Sequence, residues 1–160
     1  MKLFVISDTH GSTGKALDVY SSLGPIDLIV HLGDVERDAR RIAELTGKDV
    51  VSVRGNNEAS HAKEDFRILE TEFGNLLLTH GHKQKVKLGL QSLLYKAEEL
   101  GCKAALFGHT HVPVYIEANG VFLLNPGSLT FPSGGSQGSY ALVETAPSSF
   151  SASIVYCARS

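Results

Sequence analysis

The stretch LFVISDTH, residues 3–10, is an apolar run that leads directly into an aspartate and a histidine. Four further apolar runs end on side chains that can bind a metal: Gly33-Asp34-Val35-Glu36, Gly55-Asn56-Asn57-Glu58, His80-Gly81-His82 and Gly108-His109-Thr110-His111. Short apolar runs are typical of strands that are covered on both faces. In an open α/β sheet, ligands bind beyond the carboxyl ends of the strands. The pattern therefore predicts that these ends meet at one place, and that this place is a metal centre.

Three segments between these runs carry apolar residues at helical spacing. The stripes are Ala16, Leu17, Tyr20 and Leu23; Val35, Ala39, Ile42 and Leu45; and Leu90, Leu93, Leu94, Ala97 and Leu100. A glycine follows each stripe, at Gly24, Gly47 and Gly101, and glycine is common just after the end of a helix. Each stripe is interpreted as the core face of a helix. The alternation of strand and helix over residues 1–60 then favours βαβ units and a parallel sheet.

The second half of the chain is richer in predicted strands. One hairpin is predicted around Phe73-Gly74-Asn75 and another around Asn119-Gly120, a pair that favours a type I′ turn. Two more strands are expected near residues 140–144 and 150–156. We therefore predict an α/β fold, a four-layer αββα sandwich of two mixed sheets flanked by helices. The length of 160 residues and the 42% hydrophobic composition predict a single domain over residues 1–160.

Composition narrows the classes of partner. The formal net charge of -2 provides no general attraction to nucleic acid or membranes, so we expect neither as a partner. The two cysteines, Cys102 and Cys157, lack C-x-x-C spacing, which favours reduced thiols over a disulfide framework. No signal peptide is visible, and no apolar run approaches the roughly 18 residues that span a bilayer. We expect a cytoplasmic protein, and the sequence leaves a homo-oligomer open.

The carboxylates and the amide at the strand ends have the chemistry of metal ligands. Asp8 and His10 are two residues apart, so in an extended chain they share a side and can reach one ion. Asp34 follows Gly33, which allows close backbone approach, and its two oxygens can bridge two ions. Asn56 adds a neutral amide oxygen. Two carboxylates against two divalent ions leave a net positive site, which suits a phosphate.

The histidines at the later strand ends can be ligands or ordinary structural residues. For His80, His109 or His111 alone, a role in the core or on the surface is the commoner outcome. Three of them at strand ends in glycine-flanked motifs favour imidazole ligands instead. His31 is expected within the second strand, with a structural role.

In this order along the chain, the motifs resemble those of the calcineurin-like metallophosphoesterase superfamily, and more narrowly its small YfcE-type phosphodiesterase subgroup. The resemblance covers essentially the whole chain and includes Asn125-Pro126-Gly127-Ser128. It implies that one metal is held by Asp8, His10, Asp34 and His111, and a second by Asp34, Asn56, His80 and His109, with Asp34 bridging. Mixed nitrogen and oxygen donors favour Mn, which we expect first, or Fe, Zn, Co or Ni over Mg.

The resemblance also implies the reaction. A hydroxide bound by two ions about 3.5 to 4 Å apart would attack the phosphorus of a phosphoester. Asp34 and Asn56 would be catalytic, and Arg54 and Asn57 would contact the substrate. Small phosphodiesters are expected ahead of monoesters, at an exposed site of modest selectivity, since the chain has little sequence to spare for a cap.

One position departs from the pattern of the larger relatives. They carry a histidine directly after the Gly-Asn pair, where it is thought to protonate the leaving group, and this chain has Asn57. Asparagine cannot act as a general acid, a role worth about 10²- to 10⁴-fold in rate. We therefore expect a preference for good leaving groups, with His82 as a candidate substitute acid or a packing residue.

The alternative function is a metal-binding protein-interaction scaffold on the same fold, resembling the retromer scaffold subunit.

Overall fold

The computed structural model describes residues 1–33, 36–55 and 66–157. The elements in chain order are β1 (Lys2–Ile6), α1 (Gly14–Ser22), β2 (Leu28–His31), α2 (Glu36–Thr46), β3 (Val50–Ser52), β4 (Phe66–Glu70), β5 (Asn75–Thr79), α3 (Gln91–Glu99), β6 (Ala104–Leu106), β7 (Val114–Ala118), β8 (Val121–Asn125), β9 (Ser139–Ala146) and β10 (Ser149–Tyr156). Each predicted strand and helix is present, and most boundaries differ from the apolar runs by only a residue or two.

Within the described ranges, the strands form two five-stranded sheets. The first has the order β10-β9-β1-β2-β3, and the second has the order β4-β5-β6-β8-β7. In the first sheet β1, β2 and β3 run parallel, as predicted, while β9 and β10 run antiparallel to their neighbours. In the second sheet β5, β6 and β8 run parallel, and the edge strands β4 and β7 run antiparallel. Both sheets are therefore mixed.

The side chains of the strands divide between three apolar layers. Leu3 and Val5 of β1 point into a core shared with Leu76 and Leu78 of β5, so this core lies between the two sheets. Alternate residues of β1, such as Phe4, belong to a second cluster with residues of α1 and α2. A third cluster joins α3 to the outer face of the second sheet. Two central sheets covered by helices confirm the predicted αββα class.

The turn between β7 and β8 has the expected geometry. Asn119 and Gly120 have φ angles of 51° and 78°. A type I′ turn needs positive φ at both central positions, and asparagine and glycine are the residues that adopt it most readily. The β7–β8 hairpin is therefore closed by the pair on which its prediction was based.

One core prediction is wrong. Leu45, the last member of the second apolar stripe, is 58% exposed, whereas Ile42 one turn earlier is fully buried. The helix α2 packs against β3, which is an edge strand of three residues. Because this strand is so short, the final turn of α2 has no sheet surface to cover.

The structure bears on two further expectations, one about the cysteines and one about membrane-spanning helices. Cys102 and Cys157 are both free cysteines, as the sequence indicated. Among the helices of the described ranges, none is long and apolar enough to cross a bilayer.

Candidate metal centre

The loops after β1 and β6 bring three of the predicted ligands together. One ligand atom each from Asp8, His10 and His111 lies within 4.8 Å of the others. The His10 Nε2 atom is 3.0 Å from His111 Nε2, and His111 Nε2 is 3.3 Å from Asp8 Oδ1. These residues come from opposite sheets, so the group exists only because the carboxyl ends of β1 and β6 face each other across the sandwich. They are the described members of the first predicted ligand set.

The two described members of the second ligand set adjoin the same aspartate. His80 is fully buried after β5, and its Nε2 atom is 3.6 Å from Asp8 Oδ1. The rings of His80 and His109 have centroids 5.0 Å apart. The His109 main-chain N–H donates a 2.9 Å hydrogen bond to Asp8 Oδ2. Asp8 thus contacts residues of both predicted ligand sets.

Three predicted site residues lie outside the described residues, namely Asp34, Asn56 and Asn57. Arg54 is partly buried and lies two residues after the end of β3. The ring of His82 is 5.5 Å from that of His80 and 6.2 Å from that of His109. His82 therefore borders the second ligand set.

Backbone carbonyls determine how two of the histidines present their nitrogens. His80 Nδ1 is 2.8 Å from the Leu32 carbonyl oxygen, and His111 Nδ1 is 2.6 Å from that of Phe131. Since a carbonyl only accepts hydrogen bonds, both Nδ1 atoms carry the proton in these pairs. In a neutral ring this leaves the lone pair on Nε2, the atom that faces Asp8. This arrangement, a ring N–H held by a carbonyl, is the one that usually orients a metal-binding histidine.

The backbone at the site is largely left-handed, which the sequence argument did not anticipate. Asp8, His10, His109 and His111 have φ angles of 56°, 48°, 72° and 61°. The extended-chain reason for placing Asp8 and His10 on one side is therefore wrong, although both residues do reach the same group. Non-glycine residues in this region are uncommon, and such strain collects at functional sites where the surroundings enforce it.

Two of the motif glycines are required by close packing. A Cβ atom on Gly108 would collide with the Ser7 side chain and would lie 2.7 Å from Asp8 Oδ2. A Cβ atom on Gly33 would lie 3.0 to 3.1 Å from two backbone atoms and His80 Nδ1. The backbone can approach the ligand residues this closely only where the side chain is a hydrogen atom.

A buried polar network supports the loop that carries His10, and sequence reasoning missed it. Asp38 of α2 accepts hydrogen bonds from the Thr9 hydroxyl at 2.5 Å and from the Gly11 N–H at 2.7 Å. Thr9 Oγ1 also lies 3.0 Å from His31 Nε2, while His31 Nδ1 accepts the Gly33 N–H at 3.1 Å. His31 therefore donates from Nε2 to Thr9, and Thr9 donates to Asp38. The network ties the loop after β1 to α2 and to the end of β2.

The Asn-Pro-Gly-Ser motif supports the other side of the group. Asn125 donates to the Gly108 carbonyl oxygen and to Thr110 Oγ1, which frame His109. Ser128 is fully buried, donates to the Asp8 carbonyl oxygen at 2.9 Å and accepts the Phe131 N–H at 3.0 Å. The motif was visible in the sequence, but its contacts with Asp8 and with the loop after β6 were not.

The surroundings of Asp8 keep it ionised. Burial would raise its pKa, but a hydrogen bond from the His111 ring, the positive charge of the His80 and His111 rings when they are protonated, and a hydrogen bond from Ser7 lower the pKa to about 2. At His109, burial and the nearby His80 and Lys87 outweigh the pull of Asp8 and lower the pKa to about 4. Near neutral pH the site therefore offers an anionic carboxylate and an uncharged imidazole. These are the protonation states in which both groups bind divalent metals.

The donor set fits a divalent transition metal. A carboxylate oxygen and two imidazole nitrogens converge within ligand distance, and a buried third imidazole stands beside the same carboxylate. Imidazole combined with carboxylate suits Zn, Fe, Ni or Mn better than Mg or Ca. These contacts fit a metal better than a structural role, because such a role does not require two imidazoles to aim Nε2 at one carboxylate.

A family model and a named relative each match most of this chain. The family model of the calcineurin-like phosphoesterase superfamily domain matches residues 1–148. Phosphodiesterase YfcE of Escherichia coli K12 is 31% identical over 174 residues, covering 90% of this chain and 88% of the relative.

Two solved structures share the fold. A predicted phosphoesterase from Streptococcus pneumoniae TIGR4 superposes with a TM-score of 0.82 at 28% identity, covering 97% of this chain and 88% of that one. Wild-type Vps29 from Entamoeba histolytica, solved with zinc, superposes with a TM-score of 0.77 at 21% identity, covering 98% of this chain and 99% of that one. At this identity the second likeness concerns the fold alone.

Proposed function

Because this chain belongs to the calcineurin-like phosphoesterase superfamily, we propose that it is a binuclear metal-dependent phosphodiesterase that hydrolyses small phosphodiesters. One observation carries the proposal: Asp8, His10 and His111 converge at the ends of β1 and β6, and the Phe131 carbonyl orients the His111 ring. A site with these donors is suited to a metal that activates water. The name of the Escherichia coli relative, a phosphodiesterase, supports the substrate class.

We assign the ligands as the sequence motifs order them. Asp8, His10, Asp34 and His111 would hold one ion, and Asp34, Asn56, His80 and His109 would hold the other. The close contact of Asp8 with both His111 and His80 supports the assignment of neighbouring ions. We expect Mn first, with Fe, Zn, Co or Ni as the alternatives allowed by the donors.

When bound, the two ions would lower the pKa of a water molecule and neutralise charge on the phosphoryl group. The residues of the chain would supply ligands in the required charge states and contacts with the substrate. Asp8, already ionised, contributes negative charge without a proton to lose. His109 enters uncharged, since the pKa of its ring is lowered to about 4. Arg54 and Asn57 would contact the substrate.

The test is hydrolysis of an activated aryl phosphodiester with the full chain after chelation and after added Mn²⁺. We expect activity only with the metal, and a loss of more than roughly 100-fold in Asp34→Ala and Asp8→Asn, because even residues that only support a ligand cost 10- to 100-fold. Metal content measured on the same samples shows whether the loss follows the ion. Activity that survives removal of both the metal and Asp34 would overturn the proposal.

Leaving-group protonation is the open step of this reaction. Asn57 cannot donate a proton, so we expect Asn57→His to speed hydrolysis of diesters with poor leaving groups more than those with good ones. The ceiling is the 10²- to 10⁴-fold typical of general acid catalysis. His82→Asn is the matched variant, since its ring lies beside His80 and His109. If His82 is the acid, His82→Asn will slow the hydrolysis of diesters with poor leaving groups more than that of diesters with good ones. Equal effects on both kinds of diester would contradict the role of Asn57 in the first variant and of His82 in the second.

The alternative is a metal-binding scaffold that acts through protein contacts. The likeness to Vps29 is one of fold and does not decide between the two functions. A protein that binds two metals per chain and hydrolyses no phosphoester in the assay above would favour the scaffold.

A further inference from the structure

Phe131 is an aromatic side chain at the edge of the metal centre. It is 45% exposed, and its ring lies 5.2 Å from the His10 ring at an interplanar angle of 81°. Isolated exposed apolar residues are normal on protein surfaces, so exposure alone says little. The informative point is the position, because His10 belongs to the group of three converging ligands. A ring next to that group stands beside the place where a phosphoester held by the metal centre would lie.

The backbone of Phe131 is held on both sides. Its N–H donates to Ser128 Oγ at 3.0 Å, and its carbonyl oxygen accepts His111 Nδ1–H at 2.6 Å. The Ser128 hydroxyl in turn donates to the Asp8 carbonyl oxygen. Phe131 is therefore hydrogen-bonded to His111, a predicted metal ligand, and to Ser128, which holds the backbone of Asp8, another predicted ligand.

Two further features restrict the same residue. Pro132 follows it, and a proline disfavours helical backbone conformations at the residue before it. The next residue, Ser133, donates its N–H to the His111 carbonyl oxygen at 3.1 Å. With the main chain fixed, the ring has only its two side-chain torsions left. A contact with a ligand therefore costs little ordering entropy, which is the property that makes rigid aromatics effective contact residues.

From this geometry we infer that Phe131 is a specificity residue that stacks on an aromatic or heterocyclic group of the substrate phosphodiester. The inference rests on the proposed phosphodiesterase function and names its substrate class. The metal centre recognises the phosphate, which every phosphodiester carries. The exposed ring beside His10 distinguishes esters that carry a planar ring from esters that do not.

Binding of two non-hydrolysable phosphonates tests the inference independently of catalysis. The Mn²⁺-loaded full chain is titrated with phenylphosphonate and with methylphosphonate, as wild type, Phe131→Leu and Phe131→Ala. We expect Phe131→Ala to raise the Kd of phenylphosphonate by about 5- to 100-fold, the range for losing one stacking contact. Methylphosphonate should keep its Kd, and Phe131→Leu should fall between, since leucine retains apolar contact without the aromatic face.

Tyr95→Ala is the matched control, because Tyr95 is a 58% exposed aromatic on α3 whose hydroxyl accepts a hydrogen bond from Gln91 of the same helix. It should leave both Kd values unchanged. Equal weakening of both phosphonates by Phe131→Ala would indicate general damage to the site and overturn the inference. Unchanged affinity for phenylphosphonate, or no preference of the wild type for it, would overturn it as well.

Kinetics then separates this inference from the proposed function. For bis(p-nitrophenyl) phosphate, Phe131→Ala should lower kcat/KM by a similar factor, mainly through KM, with metal content unchanged. Hydrolysis without a loss in Phe131→Ala would sustain the phosphodiesterase and refute the stacking role. A wild type that discriminates between the two phosphonates but hydrolyses no diester would refute the enzyme and keep Phe131 as a ligand contact.

Discussion

His80 and His111 are oriented by the same device in two different regions of the molecule. In the inner region, His80 is fully buried and donates to the carbonyl of Leu32, which directly follows β2 of the other sheet. In the outer region, the His111 side chain is 18% exposed and donates to Phe131, in a loop at the surface. The inner histidine is part of the packed interior, whereas the outer one depends on a loop. We therefore expect the inner region to contribute more to the stability of the fold than the outer region does.

Replacing each histidine by asparagine should give the largest contrast. His80→Asn should lower the free energy of unfolding by roughly 2–4 kcal/mol, because it leaves a cavity and a buried carbonyl without its donor. His111→Asn should cost less, about 0.5–1.5 kcal/mol, because it removes one hydrogen bond and water can reach the Phe131 carbonyl that loses its donor. Urea unfolding of the chelated proteins measures both. Equal losses would show that the inner and outer regions do not differ in this way.

The network around Thr9 should be next in size. Thr9→Val removes the hydroxyl that accepts a hydrogen bond from His31 Nε2–H and donates one to Asp38. We expect a loss of about 1–3 kcal/mol in stability, and metal affinity about 10- to 100-fold weaker, because the loop bearing His10 loses its support. Thr13→Val is the control, since Thr13 is also buried and makes no capping side-chain bond. A matching loss of metal affinity in the control would remove the special role of Thr9.

The support of the outer region can be weakened at Ser128. Ser128→Ala removes the hydroxyl that joins the Asp8 carbonyl to the Phe131 N–H, and should cost about 1–2 kcal/mol. Ser139→Ala is comparable, because the Ser139 hydroxyl is buried and donates to the Pro126 carbonyl rather than to a predicted ligand. Both variants should lose stability in calorimetry, but only Ser128→Ala should weaken metal binding. If Ser128→Ala and Ser139→Ala bind the metal with identical affinity, the loop positions His111 without the help of the Ser128 hydroxyl.

The smallest expected effect is a pH dependence at His109, because this residue is partly exposed and solvent screens its electrostatic interactions. Its pKa is lowered from 6.5 to about 4 in the folded chain, so between these values the unfolded chain binds the extra proton. The contribution of His109 is therefore fully present above pH 6.5 and is lost as the pH falls through 4. Unfolding of the metal-free protein should show a steeper loss of stability over this interval than His109→Asn. Parallel curves for the two proteins would contradict the lowered pKa.

The sequence predicted the fold well because its signals were local. Apolar runs such as Leu76 to Leu78 and the centre of the stripe on α3, Leu93 to Leu94 and Ala97, report burial directly, and these residues are all buried. The Asn119-Gly120 turn was predictable because few residue pairs adopt its backbone geometry. Leu45 was mispredicted because its burial depends on the length of β3, a strand elsewhere in the chain.

The site was less predictable, and particular residues show why. Thr9 and Asp38 interact across 29 positions, and Ser128 reaches Asp8 across 120. No periodicity or motif spacing reports contacts between such distant residues. Phe131 was not among the predicted site residues, because a single phenylalanine carries no signal of a neighbouring histidine.

By itself, the sequence determined the order of the elements, the two-sheet class and which side chains carry metal-binding chemistry, because burial and residue type are local properties. The tertiary structure decided how those side chains meet. It brought Asp8 and His111 from opposite sheets to within 3.3 Å of each other and placed both in the left-handed region of backbone conformation. It also determined that Nδ1 carries the proton in the His80 and His111 rings, because each Nδ1 faces a carbonyl from another segment. These outcomes depend on long-range packing and hydrogen bonding, which exist only once the two sheets have come together.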